Sequence, residues 1–265
     1  MKLRSLLYLI PAAFLISAAS AQYSTGFENP PFVSGDINGQ DSWTTSRNTA
    51  TARVLTATEI TTELLAGGLN ADMPVHGGSQ ALIVSGGSDS NATIRVISGL
   101  ETQNNVVLDV WARPLTGGST GNIFLTMEDS AGDRAAAFRF GVVGGQQTID
   151  YGTAMTGIWQ PSGILWDSTT WYRLNMSVDY GAKTYDFAIN GVQVNSSPIP
   201  FYTAISDEFS QLRIFRGLNQ SGMIVDDLNV TIPEPGALAF LVLGGSVALL
   251  RRNRALAQRS RSSCA

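Results

Sequence analysis

Acid–base chemistry in this chain has few possible sources. The run Glu128-Asp129-Ser130-Ala131-Gly132-Asp133 packs three carboxylates into six residues. A retaining glycosidase needs two carboxylates about 5–5.5 Å apart, which on one strand calls for acids at alternate positions. Glu128 and Asp129 are adjacent, so on a strand they would point to opposite faces, and Ser130–Gly132 has the composition of a turn. The run therefore predicts a solvated acidic loop. His76 is the single histidine and sits between Pro74 and Gly77-Gly78. A Ser-His-Asp triad would have to use it, yet no Gly-x-Ser-x-Gly elbow is present. With one histidine and one cysteine (Cys264, near the C-terminus), a zinc site also lacks ligands. No catalytic residue is predicted, and the chain is expected not to be an enzyme.

Oxygen donors leave calcium as the metal that the side chains would suit. Glu28, near the start, and Asp226 or Asp227, near the end, could share a structural calcium ion if the first and last strands lie side by side. The alternative is that Asp226 and Asp227 end an edge strand and discourage aggregation. No other cofactor is implied. Stacking on sugar rings would need exposed indoles. Trp159, Trp166 and Trp171 cluster in a Gly/Ser/Thr-rich stretch, with Trp43 and Trp111 elsewhere. Trp111 and Trp171 fall in strand patterns and are assigned to the core. Trp159, in Ile158-Trp159-Gln160-Pro161, reads as loop-borne. Trp159 and Trp166 are the candidate glycan-binding residues, and packing beneath a loop is the alternative.

The elements that must position these residues are short strands. In Trp171–Asp179, Tyr172, Leu174, Met176 and Val178 share one face, and Arg173, Asn175, Ser177 and Asp179 share the other. Tyr185, Phe187 and Ile189 alternate next, and Asn190-Gly191 is a two-residue hairpin signal leading into Val192. Further strands are expected at Ala81–Ser85, Thr93–Ser98, Val106–Arg113, Asn122–Glu128, Ala135–Val142, Gln211–Phe215 and Met223–Val230. About a dozen strands punctuated by Gly-Gly pairs suggest an all-β, antiparallel β-sandwich. Only Ala57–Leu65 and Tyr202–Phe209 hint at helix, each at most a turn or two. No repeat of fixed period argues for a propeller or solenoid.

Charge is unevenly placed. The whole chain has 17 Lys/Arg against 21 Asp/Glu, but residues 22–232 hold 10 of the bases and 20 of the acids. So acidic a body is ill-suited to nucleic acid, whose phosphates need Lys and Arg. At the N-terminus, Lys2 and Arg4 precede an apolar stretch from Leu6 to Ile16 and the small residues Ala19-x-Ala21. This is the pattern of a secretory signal peptide, residues 1–21, cleaved after Ala21. The C-terminus carries Pro233-Glu234-Pro235, an apolar run Gly236–Leu250, then Arg251, Arg252 and Arg254. As a helix the run would span about 22 Å, short of the ~30 Å hydrocarbon core, so it would cross with some thinning of the bilayer. The arginines mark the distal end as cytoplasmic.

The order Pro-Glu-Pro, apolar run and arginine cluster, over Ile232 to about Arg254, resembles the PEP-CTERM sorting signal of Gram-negative bacteria. That resemblance implies recognition by an exosortase near Pro233-Glu234-Pro235 and anchorage through a C-terminal transmembrane helix. It departs from the family's usual form in running on to Ala265. The body resembles the concanavalin A-like (laminin-G-like) jelly-roll domains. The resembling features are Phe27-Glu28, Gly39-Gln40-Asp41-Ser42-Trp43, Gly78-Ser79-Gln80-Ala81-Leu82, the Trp171–Val194 hairpin and Ile224-Val225-Asp226-Asp227-Leu228. Polysaccharide lyases of that fold usually carry a Gln-x-His strand motif, which is missing here.

The expected organisation is a signal peptide (1–21), a sandwich domain (22–231), a sorting signal with transmembrane helix (232–254) and a basic cytoplasmic tail (255–265). The expected function is that of an exported cell-surface or extracellular-matrix protein with a structural or adhesive role. The alternatives are a carbohydrate-binding module that attaches to extracellular polysaccharide and, third, a polysaccharide-active enzyme.

Overall fold

The structure, a computed structural model, describes residues 23–46, 51–85, 91–115, 123–143, 145–154, 158–217 and 222–233. The signal peptide and the sorting signal beyond Pro233, with Glu234, Pro235, Arg251, Arg252 and Arg254, lie outside the described residues. Among those described, no helix is long and apolar enough to cross a membrane.

In chain order the strands begin with β1 (Tyr23–Thr25), β2 (Gly35–Asp36), β3 (Trp43–Thr45), β4 (Ala52–Thr56), β5 (Gln80–Val84) and β6 (Asn91–Val96). Then come β7 (Asn105–Pro114), β8 (Ile123–Glu128), β9 (Arg134–Val143), β10 (Gln146–Thr153), β11 (Ile158–Leu165) and β12 (Tyr172–Asp179). The last are β13 (Thr184–Ile189), β14 (Val192–Gln193), β15 (Ile199–Pro200), β16 (Gln211–Arg216) and β17 (Met223–Thr231). They form two antiparallel sheets. A seven-stranded sheet runs β11-β10-β9-β8-β16-β6-β3, and a ten-stranded one runs β14-β13-β12-β7-β17-β5-β4-β2, with β1 on β17 and β15 on β13. One buried apolar cluster draws side chains from both, including Phe138, Phe140, Leu125 and Ile214 from the first and Leu108, Val110, Leu174 and Phe187 from the second. The chain is an all-β sandwich.

Alternation decides which face each residue occupies. In β12 the burial pattern follows the sequence, with Tyr172, Leu174, Met176 and Val178 inside and Arg173 and Ser177 exposed. Asn190 and Gly191, at φ 52° and 80°, make the tight turn between β13 and β14 that the Asn-Gly pair predicts. The predicted helical hint at Ala57–Leu65 is a ten-residue helix, α1 (Ala57–Ala66). It is longer than expected because Thr56 and Glu59 form a reciprocal capping box that satisfies its first amides. Tyr202–Phe209 contains no helix. Its backbone instead bonds to β9, with Tyr202 N–H on Ala135 O (3.0 Å) and Thr203 N–H on Arg134 O (2.9 Å).

The two outer faces of the sandwich differ. Helix α1 and the segment that follows it cover part of the ten-stranded sheet, closing a second small core of Leu55, Ile60, Leu64, Ala81, Ile83, Leu115, Trp171 and Ile224. Arg113 on β7 pins that segment from below. It is fully buried, and its guanidinium donates to the carbonyls of Asn70 (2.6 Å), Met73 (3.0 Å), Asp72 and Ser168 (2.6 Å). Trp171 adds an indole N–H on Met73 O at 2.9 Å.

Replacing Arg113 removes the donor to four carbonyls at once. The variant Arg113→Met is expected to lose about 2–4 kcal/mol of stability by equilibrium urea unfolding, with limited proteolysis opening first between residues 66 and 80. An unchanged urea midpoint would show that the segment is held by other means.

Candidate functional site

The outer face of the seven-stranded sheet is built by strand register. Phe215, Phe124 and Arg139 lie side by side across β16, β8 and β9, and Gln211, Glu128 and Arg134 form a second row. Arg213 and Thr126 lie between these rows. Because Ile123, Leu125 and Met127 of β8 point into the core, Phe124, Thr126 and Glu128 must point out.

Two carboxylates lie at the base of this face with no exposure, Glu128 and Asp150. Glu128 accepts from Thr126 Oγ1 (2.7 Å) and Gln211 Nε2 (3.0 Å) and pairs with Arg213 Nε (2.8 Å) and Arg134 Nε (3.4 Å). Asp150 accepts from Thr148 Oγ1 (2.6 Å) and Arg139 Nε (2.8 Å). A Cβ at Gly141 would collide with the Asp150 carboxylate, so glycine there admits the pair. The arginines are 16–27% exposed at their side chains. Among the described residues each arginine contacts these acids through Nε, as a hydrogen bond for Arg134 and Arg139 and as an ion pair for Arg213.

Aromatic rings fill the spaces between the cations. Phe124 stacks on Phe215 (centroids 4.8 Å apart), and Trp159 packs on Phe124 (5.7 Å) and Tyr202 (5.3 Å). Arg139 lies over Trp159 (4.7 Å), and Arg134 lies over Phe124 (5.0 Å) and Tyr202 (5.6 Å). Tyr202 can lie against the sheet because Gly152, opposite Trp159 in register, has no Cβ to obstruct its ring.

Several sequence expectations change here. The Glu128 run is no solvated loop. Glu128 ends a strand beneath two guanidiniums, and Asp129 is 7% exposed and accepts the amides of Ala131 and Asp133. Trp159 lies on β11 rather than on a loop; Pro161 and Gly163 within that strand disguised it. Trp166 is unsuited to stacking on a glycan, since it is 6% exposed and donates its indole N–H to Gly141 O at 2.9 Å, against Phe140. Sequence reading missed Arg134, Arg139, Arg213, Phe124 and Tyr202. The available signal was the period-two placement of Arg139 within β9, but the partners across the sheet follow from register. Glu128 and Asp150 also do not make a hydrolytic pair. Two strands and four residues of offset separate them by roughly 16 Å, beyond either glycosidase spacing.

The other expected cluster does assemble. The first and last long strands lie together, Thr25 opposite Leu228, and Glu28, Asp226 and Asp227 surround residues 76–80. Asp226 and Asp227 do not end an edge strand: β17 is central, and they form a bulge where its pairing with β7 shifts register, with Asp227 at φ 45°. Asp226 accepts the amides of His76 (2.9 Å), Gly77 (3.0 Å) and Asp227 (2.8 Å). Glu28 accepts Ser79 N–H (2.7 Å), Ser79 Oγ (2.6 Å) and Gln80 N–H (3.0 Å). These oxygens are engaged by the loop, and among the described residues no group of three or more His, Cys, Asp or Glu side chains is arranged to hold a metal ion. His76 is not an ordinary surface residue. It stacks on Trp111 (3.8 Å, 16°) and bonds through Nδ1 to Asp227 Oδ2 at 2.7 Å.

Burial pushes the Asp226 carboxyl up to about 6, against the opposing pull of its three amide donors. The folded state thus favours protonated Asp226 where the unfolded chain, near 3.8, is already ionised. Stability from this group is present below about pH 4 and is lost as pH rises toward 6, by up to about 3 kcal/mol. In Asp226→Asn, the difference in unfolding free energy between pH 4 and pH 6.5 should shrink accordingly. An identical pH profile in both proteins would refute the assignment.

No protein-family model matches the chain, and no curated protein matches it. Solved structures do share its fold. A sialidase aligns over 81% of this chain at 8% identity and a TM-score of 0.54, although the chain spans 19% of the sialidase's length. A carbohydrate esterase of a Shiga toxin-encoding bacteriophage aligns over 80% of this chain and 97% of its own, at 13% identity and 0.51. A cellulose-induced protein aligns over 76% and 97%, at 15% identity and 0.51. These similarities are to carbohydrate-related β-sandwich proteins, and at such identities they show the fold.

Proposed function

We propose that this chain is an exported cell-surface or extracellular-matrix protein with a structural and adhesive role, and that it adheres by holding polysaccharide on the outer face of the seven-stranded sheet. The observation that carries the reading is the platform of the half-buried rings Trp159, Phe215 and Tyr202, seated on the buried Phe124 and interleaved with Arg134, Arg139 and Arg213. Pyranose rings present apolar C–H faces that pack on aromatic rings, while their polar substituents need fixed partners. The guanidinium ends supply those partners, with a planar fork that suits carboxylates.

Charge narrows the ligand. Three of the ten basic residues between 22 and 232 lie on this face, and its two acids are buried beneath them. An anionic polysaccharide is therefore favoured over a neutral one. The fold likeness to a sialidase, a carbohydrate esterase and a cellulose-induced protein supports a carbohydrate role at the level of architecture. The finer architecture is read as a concanavalin A-like jelly roll. A binding role is preferred to an enzymatic one because the buried acids are too far apart to act together.

Delivery rests on the terminal sequences. Residues 1–21 serve as the export signal, and Pro233-Glu234-Pro235 with the apolar run and Arg251, Arg252 and Arg254 serves as a membrane-held tag for an exosortase in a Gram-negative envelope.

Titration with polygalacturonate checks the platform: Trp159→Ala should weaken binding about tenfold, ~1.4 kcal/mol, while binding by the unaltered protein should fall as salt screens the arginines. Equal affinity in both proteins would remove the reading. Fractionating cells that express the chain with and without residues 232–265 checks delivery. Surface material should disappear in the truncated form, and unchanged surface delivery would count against the sorting role.

A further inference from the structure

A cleft of about 290 Å³ opens on the opposite side of the sandwich, on the part of the ten-stranded sheet that α1 leaves uncovered. Trp111, Asp109, Arg173, Asn229, Asp227 and Thr25 line it. Register places them together: Arg173 is opposite Trp111 across β12 and β7, and Asn229 is opposite Asp109 across β17 and β7. The bulge at Asp226-Asp227 turns Asp227 out beside them.

Several side chains at this cleft are stacked or hydrogen-bonded to one another. His76 covers one face of the Trp111 indole, and the indole also borders the cleft. Asp109 is gripped by Arg173, with Nε at 2.9 and 3.1 Å from its two oxygens and Nη2 at 2.6 Å from Oδ2, and it accepts from Asn175 Nδ2 at 3.4 Å. A bidentate carboxylate–guanidinium pair beside an indole offers an acceptor and a donor to neighbouring hydroxyls, next to an apolar wall. Asp109 and Asp227 outnumber Arg173, so the local charge is negative and repels anionic sugars. The volume lies at the low end of small-ligand pockets, ~300–1,000 Å³, which suits a single ring.

We propose that this cleft is a second glycan site, selective for one neutral pyranose unit. Its chemistry does not depend on the platform across the sandwich. If both sites operate, one domain joins an anionic polysaccharide on one side to a neutral one on the other.

The test is titration of the full chain with cellohexaose, mannohexaose and xylohexaose, followed by calorimetry and tryptophan fluorescence, with trigalacturonate as the anionic comparison. At least one neutral hexasaccharide should bind and perturb the fluorescence, and Asp109→Asn and Arg173→Gln should each weaken it about tenfold or more. Trp159→Ala should leave that binding unchanged, which separates this site from the platform. Circular dichroism and retained polygalacturonate binding would show that the cleft variants remain folded. The proposal is overturned if none of the three neutral sugars binds. It is equally overturned if both cleft variants bind them normally, or if trigalacturonate occupies the cleft as tightly.

Discussion

The outer face of the seven-stranded sheet depends on two carboxylates that water does not reach. Glu128 and Asp150 have no exposed surface, and an ionised acid in such a position is tolerated only when cations and hydrogen-bond donors surround it. Arg134 and Arg213 do this for Glu128, and Arg139 does it for Asp150. The dependence is mutual. The acids hold Arg134 over Phe124 and Tyr202 and Arg139 over Trp159, where long flexible side chains would otherwise sample many rotamers and incur an ordering cost on contact with a ligand. Fixed arginines on fixed rings form a pre-organised surface. The same pairing also spaces the positive charge along the sheet, since the acids sit four residues and two strands apart.

The two outer faces solve different problems with similar parts. On the ten-stranded sheet, charged side chains serve the chain itself. Arg113 gathers carbonyls from residues 70–73, and Asp226 and Glu28 gather amides from residues 76–80. Those bonds close an irregular segment over a small apolar core, where unsatisfied backbone groups would otherwise be costly. On the seven-stranded sheet, no segment of comparable length folds over the arginines among the described residues, and the charged groups face outward.

Much of the architecture was legible because it rests on period-two alternation and turn chemistry. β12, β13 and the Asn190-Gly191 turn follow directly from the sequence, as do β7, β9, β16 and β17 within a residue or two. The β10–β11 hairpin was not legible. Its outer strand contains Pro161 and a left-handed Gly163, residues that break a strand pattern and that a sheet tolerates at its edge. Trp159 was consequently singled out for the right chemistry but placed on the wrong kind of element. Glu128 was misread for a related reason. Its neighbours in sequence form a turn, whereas its cations come from β9 and β16, 6 and 85 residues away in the chain. Local composition reports solvation when the neutralising partners are local, and here one of them is distant. His76 shows the same limit, since its stacking on Trp111 and its bond to Asp227 join segments far apart in sequence.

Cysteine is absent from residues 22–232, so within the proposed export route the domain must persist outside the cell without disulfides. Its stability then rests on the apolar cluster between the sheets and on polar networks that tie loops to strands. This arrangement favours placing recognition on strands. A site borne on a mobile loop would have to be ordered anew at each binding event, whereas side chains on β8, β9, β10, β11 and β16 are held by the sheet ladder and by the buried acids beneath them. In the proposed adhesive role, holding extended chains gains more from a broad face than from a deep pocket, because each sugar contributes little and the contributions accumulate along the polymer. The arrangement of rings and guanidiniums on β8, β9, β11 and β16 suits that proposed role. It also explains why the proposed surface carries no compact sequence motif: its residues come in ones and twos from β8, β9, β11, β16 and the segment around Tyr202, and become neighbours through hydrogen-bond register.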